Sequence, residues 1–171
     1  SVVSSSVVWA AGVSGAVLLT TDGGTTWTSK STGVSVDLNG IAGIDSSTAY
    51  VVGNSGTILK TTNGGSTWST LTSGTSANLT SIAALDTNTI RVAGVGVVRQ
   101  STNAGSAWSS IATSTVSSSL TYNGVTHPAA NAGIILGQGH SILRYVPSYS
   151  ASSQIVVSQN RNSTSTNIAS G

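Results

Sequence analysis

Apolar residues in this chain come in short runs, each cut off by a polar, glycine-bearing break. The stretch from Leu38 to Leu71 shows the rule. Leu38 to Ile44 is mainly apolar, Asp45 to Thr48 is polar, and "AYVVG" from Ala49 to Gly53 is apolar again. Asn54 to Gly56 breaks the chain a second time, Thr57 to Thr62 is rich in β-branched residues, and a polar string leads to Thr67 to Leu71. Apolar positions never recur at i, i+3, i+4 and i+7 for long enough to predict a helix. Brief β-branched runs bounded by glycine predict strands. The pattern predicts four strands, a to d, joined by tight turns.

The same pattern returns along the chain. "TTDGGTTW" (Thr20 to Trp27), "TTNGGSTW" (Thr61 to Trp68) and "STNAGSAW" (Ser101 to Trp108) place tryptophans 41 and 40 positions apart. Leu38 to Trp68 aligns with Leu79 to Trp108, with one residue deleted beside Gly96. Val2 to Trp27 is the same unit lacking most of strand a, and Leu120 to Val146 is a decayed fourth copy. Approximate units are 1–35, 36–76, 77–116 and 117–160, with a tail at 161–171. Four antiparallel strands in about 40 residues make one blade of a β-propeller. The expected fold is therefore all-β, a single propeller of about four four-stranded blades. The tail "TSTNIASG" faintly repeats "VDLNGIAG" (Val36 to Gly43) and offers a strand to close a small ring. The alternative is an open arc, cut from a larger propeller or completed by a neighbouring subunit.

The boxes resemble the Asp-box, or bacterial neuraminidase repeat: Ser/Thr, any, Asp, any, Gly, any, Thr, Trp. The matching residues are Thr20, Asp22, Gly24, Thr26 and Trp27, then Thr61, Asn63, Gly65, Thr67 and Trp68, then Ser101, Asn103, Gly105 and Trp108. Asn replaces Asp in the second and third copies, and Ala107 replaces Thr in the third. The fuller unit, with Gly-x-x-Gly ahead of "ILKTTNGGSTW", is most similar to the repeats of the Ycf48-like photosystem II assembly-factor family. The resemblance covers about Val2 to Val146 and implies a propeller whose box lies on the c–d turn, away from the mouth where ligands bind. Local physics gives the box a structural task. Asp or Asn bonds amides two residues on, Gly supplies positive φ, and Trp packs between sheets.

Composition narrows the function. Only 6% of residues are charged, against about 25% in average domains, and Lys+Arg number 6 for a net charge of +2. Such scattered cations do not favour nucleic acid as a partner. No Cys is present, so disulfides and thiolate metal sites are excluded, and no cofactor or metal is expected. No run approaches the roughly 20 apolar residues of a membrane helix. A sialidase-like glycosidase needs a paired Glu, and the sequence has none; its carboxylates are Asp22, Asp37, Asp45 and Asp86. Asp45 and Asp86 share one repeat position and are expected to form turns. His127 and His140 have no evident third ligand.

These readings lead to a non-enzymatic protein. A weakly charged surface tends to associate, so the first expectation is a secreted subunit of an extracellular filament, sheath or surface layer that binds copies of itself. The second is a glycan- or protein-binding module at the cell surface, with Arg91, Arg99, Tyr122 and Arg144 at its mouth. The third is a glycosidase fragment. Asn78 and Asn162 fit the glycosylation sequon. The chain begins at Ser1, which suggests a processed product or a piece of a longer protein. The fourth unit has "RYVPSYS" (Arg144 to Ser150) where a box belongs and is the expected place for a contact.

Overall fold

A computed structural model describes residues 1–111, 119–126, 133–138, 141–146 and 154–159. Among these the chain forms four antiparallel sheets. The first is β1 (Val8–Ala11), β2 (Ala16–Thr20) and β3 (Thr28–Ser31), with Val2 bridging Val8 as a stub of strand a. The second is β4 (Leu38–Gly43), β5 (Ala49–Gly53), β6 (Ile58–Thr61) and β7 (Ser69–Thr70). The third is β8 (Leu79–Ala84), β9 (Ile90–Gly94), β10 (Val97–Ser101) and β11 (Ser109–Ser110). The fourth is β12 (Tyr122–Val125), β13 (Gly133–Gly137), β14 (Ser141–Val146) and β15 (Gln154–Gln159).

Each sheet is one blade, and the core lies between blades. β5 and β9 are buried along their whole length, because a second strand of a blade is covered on both faces. Alternation then sorts their side chains. Ala49 and Val51 join Trp9, Val17 and Leu19 between blades one and two. Tyr50, Val52 and Ile58 join Leu79, Ile82, Ile90 and Val92 between blades two and three. Ala93 and Val98 meet Tyr122, Val125 and Ile135 between blades three and four. Each large apolar side chain so buried contributes about 1.5–3 kcal/mol. The cores are layers between neighbours rather than one shared centre.

Innermost strands stand beside one another: β4 by β8, and β8 by β12. Among the described residues no extensive packing joins the fourth sheet to the first. The four blades are part of a propeller, and among the described residues they do not close into a ring. The expected closing strand in 161–171 lies outside the described residues, as do His127, His140 and Pro147 to Ser150.

Candidate functional site

Antiparallel order gives the propeller two ends. One carries the a–b turns and the boxes; the other carries the b–c turns and the linkers between blades.

At the box end a hydroxyl is the centre of each turn. Thr20, Thr61 and Ser101 are each 1% exposed. Thr20 Oγ1 donates to Asp22 Oδ1 at 2.7 Å and accepts the Gly24 amide at 3.0 Å. Thr61 and Ser101 do the same with Asn63 and Gly65, and with Asn103 and Gly105. The Asp or Asn oxygen accepts the amide four residues on, at 2.9 Å, from Thr26, Thr67 and Ala107. The sequence expectation of a bond two residues on is thus corrected: the buried hydroxyl takes the nearer amides. Bonds from the Thr26 hydroxyl, then its amide, then the Thr20 hydroxyl hold the Asp22 carboxyl down to about 2. Trp68 and Trp108 pack against the cores of the preceding interfaces. Trp27 does not pack between sheets as expected; it is 44% exposed, because no sheet precedes the first blade among the described residues.

The same end holds tethers that the sequence reading missed. Trp9, Tyr50 and Arg91 occupy one register position, opposite Leu19, Lys60 and Gln100. Trp9 Nε1 donates to the Asp45 carbonyl at 2.9 Å, on the a–b turn of blade two. Tyr50 Oη donates to the Thr87 carbonyl at 2.8 Å, on the a–b turn of blade three. Lys60 Nζ stands 5.2 Å over the Tyr50 ring. Arg91, 1% exposed, faces the fourth blade, and its Nε donates to Gln100 Oε1 at 2.8 Å. Aligning the repeats in this register would have found the position.

Three of the acidic residues, Asp22, Asp45 and Asp86, stand in turns, and Asp37, just before β4, caps the b–c turn of blade one. Asp45 Oδ1 accepts the Ser47 and Thr48 amides at 2.6 Å, and Asp86 Oδ1 accepts those of Asn88 and Thr89 at 2.7 Å. Asp37 Oδ1 accepts the Ser14 amide at 3.0 Å, at the opposite end of the propeller. Asn78, exposed, occupies the equivalent place and accepts the Ser55 amide at 2.9 Å. Ser14 and Ser55 have φ of 55° and 57°, a left-handed conformation that these side-chain acceptors hold in place. Among the described residues no three His, Cys, Asp or Glu gather as metal ligands.

The b–c end has a different surface. Strand a carries a register shift at the same point in three blades: Leu38/Gly40, Leu79/Ser81 and Tyr122/Gly124. Such a bulge leaves one extra residue outside the ladder and re-aims its side chain. Those residues are Asn39, Thr80 and Asn123. Asn39 Nδ2 donates to the Leu79 carbonyl at 2.8 Å and to Asn54 Oδ1 at 3.0 Å. Thr80 Oγ1 donates to the Tyr122 carbonyl. Asn39 and Asn123 remain exposed. Beside them the b–c turns present Val13, 69% exposed, and Val95, 42% exposed.

Arg91 and Arg99, expected at a mouth, do not gather there. Arg91 and Arg99 project to opposite faces of the third sheet: Arg99 pairs with Val92, on the side of blade two, and its Nη2 donates to the Gly74 carbonyl at 2.8 Å. Tyr122 is 1% exposed in the core between blades three and four. Arg144 lies in β14 opposite Ile134 and Val156. Asn162 is outside the described residues.

No protein-family model and no curated protein matches the chain. Solved structures do. YCF48 bound to D1 peptide superposes with a TM-score of 0.68 at 17% identity, over 91% of this chain and 51% of that one. YCF48 from Cyanidioschyzon merolae gives 0.67 at 22% identity, over 92% and 54%. An ancestral GH74 enzyme gives 0.65 at 17% identity, over 91% and 25%. The chain therefore has the fold of Ycf48-like propeller repeats and spans about half the length of the YCF48 chains. These neighbours overturn the expected role as a secreted structural subunit of a filament, sheath or surface layer. One of them holds a peptide, and the weak surface charge that prompted the expectation accompanies a propeller with an exposed polar end.

Proposed function

We propose that the chain is a non-catalytic, peptide-binding propeller module, and that the peptide lies across the b–c end. The observation that carries this reading is the pairing of Asn39, Asn54, Thr80 and Asn123 with the exposed Val13 and Val95 on the same end. With Asn39 Nδ2 bonded to the Leu79 carbonyl and to Asn54 Oδ1, Asn39 Oδ1 accepts and Asn54 Nδ2 and the Asn123 carboxamide donate, which matches the alternating N–H and C=O groups of an extended peptide. The valines supply apolar contact for its side chains. The propeller solved with D1 peptide supports a peptide as the ligand class. The engagement of Asp22, Asp37, Asp45 and Asp86 by the amides of separate local segments supports binding without catalysis, since glycoside hydrolysis needs two carboxylates across one bond.

The test is fluorescence anisotropy with a library of labelled, unstructured peptides. Binding is expected at micromolar to millimolar affinity and to change little with salt, given the few charges. Val13→Ser with Val95→Ser is expected to weaken it about tenfold, or about 1.4 kcal/mol, with an unchanged melting curve. Absence of any bound peptide, or binding indifferent to both valines and to Asn123→Ala, refutes the reading. Turnover of a glycoside by the purified chain refutes the non-catalytic part.

A further inference from the structure

Among the described residues no sheet covers the two outer faces of the blade array, and they carry matching halves of the interface that joins blades internally. In the fourth blade Ile134 and Leu136 are 40% and 45% exposed. Counting back from Gly137, Gly53 and Gly94, which hold one register position, Ile134 corresponds to Tyr50 and Arg91, and Leu136 to Val52 and Ala93. All four of those residues are at most 1% exposed, because the next blade covers them. Ile135, between the two, is 1% exposed against blade three. The inner strand shows the same vacancy. A Cβ on Gly40 would stand 3.3 Å from Ile82 N and Ser81 Cα of the following blade, whereas the nearest atoms to one on Gly124 are those of Leu136 in its own sheet.

The first blade shows the complementary half. Leu18 is 38% exposed and Trp27 44%, while Leu59, at the place of Leu18, is 1% exposed. Trp68, at the place of Trp27, packs edge-on to Trp9 of the preceding blade at 6.2 Å between ring centres. The box glycines agree. Gly65 is approached by Lys30 and Gly105 by Leu71, each from the preceding blade, and Gly24 only by its own Trp27.

We propose that these faces dock on each other in a second copy of this chain, head to tail. Trp27 and Leu18 of one copy cover Ile134 and Leu136 of the other, as Trp68 and Leu59 cover Trp9 and its neighbours within the chain. Asn123, exposed at the bulge, takes the place of Asn39 and Thr80, which donate to the next blade's inner strand. The occupant is a second copy because this chain presents both halves of one repeated interface. Two copies also supply about the length of one propeller of the kind it matches. A head-to-tail contact made twice closes a ring.

Sedimentation of the purified chain is expected to give a dimer, twice the 16.9 kDa of one chain. Trp27→Glu blocks the first-blade face and Leu136→Lys blocks the fourth-blade face. Both positions are solvent-exposed, so each variant is expected to keep the far-UV dichroism of the parent. Each alone retains no intact interface and sediments as a monomer. Mixed, they retain one, and a heterodimer forms. A parent that stays monomeric at hundreds of micromolar, or a mixture that does not associate, overturns the proposal. A ladder of trimers and larger species overturns closure. Peptide binding by a monomer leaves the b–c end reading standing, so the two proposals fail separately.

Discussion

Replacing Tyr50 by Phe removes one oxygen and nothing else from the joint between blades two and three. Tyr50 is fully buried, and its hydroxyl donates to the Thr87 carbonyl at 2.8 Å with the Ala104 carbonyl at 3.4 Å. The ring keeps its packing against Val52 and Ile90 and its place under Lys60. The cost is therefore that of a lost hydrogen bond whose partly buried acceptor loses its donor, about 1–2 kcal/mol. With an m-value of about 2 kcal/mol per molar urea, the unfolding midpoint is expected to fall by about 0.5–1 M at constant m. Because blades contact only their neighbours, hydrogen exchange should quicken most in β5 to β11 and least in β1 to β3. A midpoint within about 0.2 M of the parent would refute the view that the hydroxyl joins the blades. Exchange quickened evenly through all described strands would refute the nearest-neighbour coupling.

Trp9→Phe should cost more than Tyr50→Phe, about 2–3 kcal/mol, since ring volume is lost together with the bond to the Asp45 carbonyl; equal urea midpoints for the two variants contradict this. Gly56→Ala should cost at least about 2 kcal/mol, because φ there is +70° and the new methyl would run into the Thr75 carbonyl; thermal melting reads it. Asp22 should titrate near 2 by NMR, and Thr26→Val should raise that midpoint toward 3.8. Its folded value lies below the unfolded one, so its contribution is present above about pH 4 and is lost as pH falls through about 2; stability that rises over that descent contradicts the assignment. Asp45→Asn keeps the Oδ1 acceptor and should be tolerated, whereas Asp45→Ala should cost about 1 kcal/mol, with the same contrast at Asp86; denaturant titration of the four variants checks it.

Much of the fold was legible because its turns leave compositional marks. The second strand of blade two runs from Ala49 to Gly53 and the b–c turn from Asn54 to Gly56, as the apolar run and the glycine predict. Asp45 and Asp86 were readable as turn formers because a repeat places them identically. Other features depend on what lies across an interface, which one chain of letters does not record. Arg91 reads as a surface cation until its register opposite Gln100 turns it toward the next blade. Trp27 reads like Trp68, and it is exposed because no sheet stands beside it among the described residues. The bulges at Asn39, Thr80 and Asn123 leave no mark, because an extra residue in a strand alters pairing and not composition. The candidate mouth was sought at Arg91, Arg99, Tyr122 and Arg144, whereas the b–c end exposes Asn39, Asn123, Val13 and Val95.

The side chains of Trp9, Tyr50, Asn39 and Thr80 that reach across to the next blade all donate to main-chain carbonyls, at Asp45, Thr87, Leu79 and Tyr122. A carbonyl is the same in every residue. At these bonds the joint asks only that one unit offer a donor of sufficient reach, and indole and phenol both answer it. Units coupled in this way are interchangeable: one can be duplicated, deleted or allowed to drift in sequence without re-fitting its neighbour. A whole repeat can be gained or lost in one event, while a single inserted residue in β5 or β9 would turn every buried side chain beyond it to the wrong face.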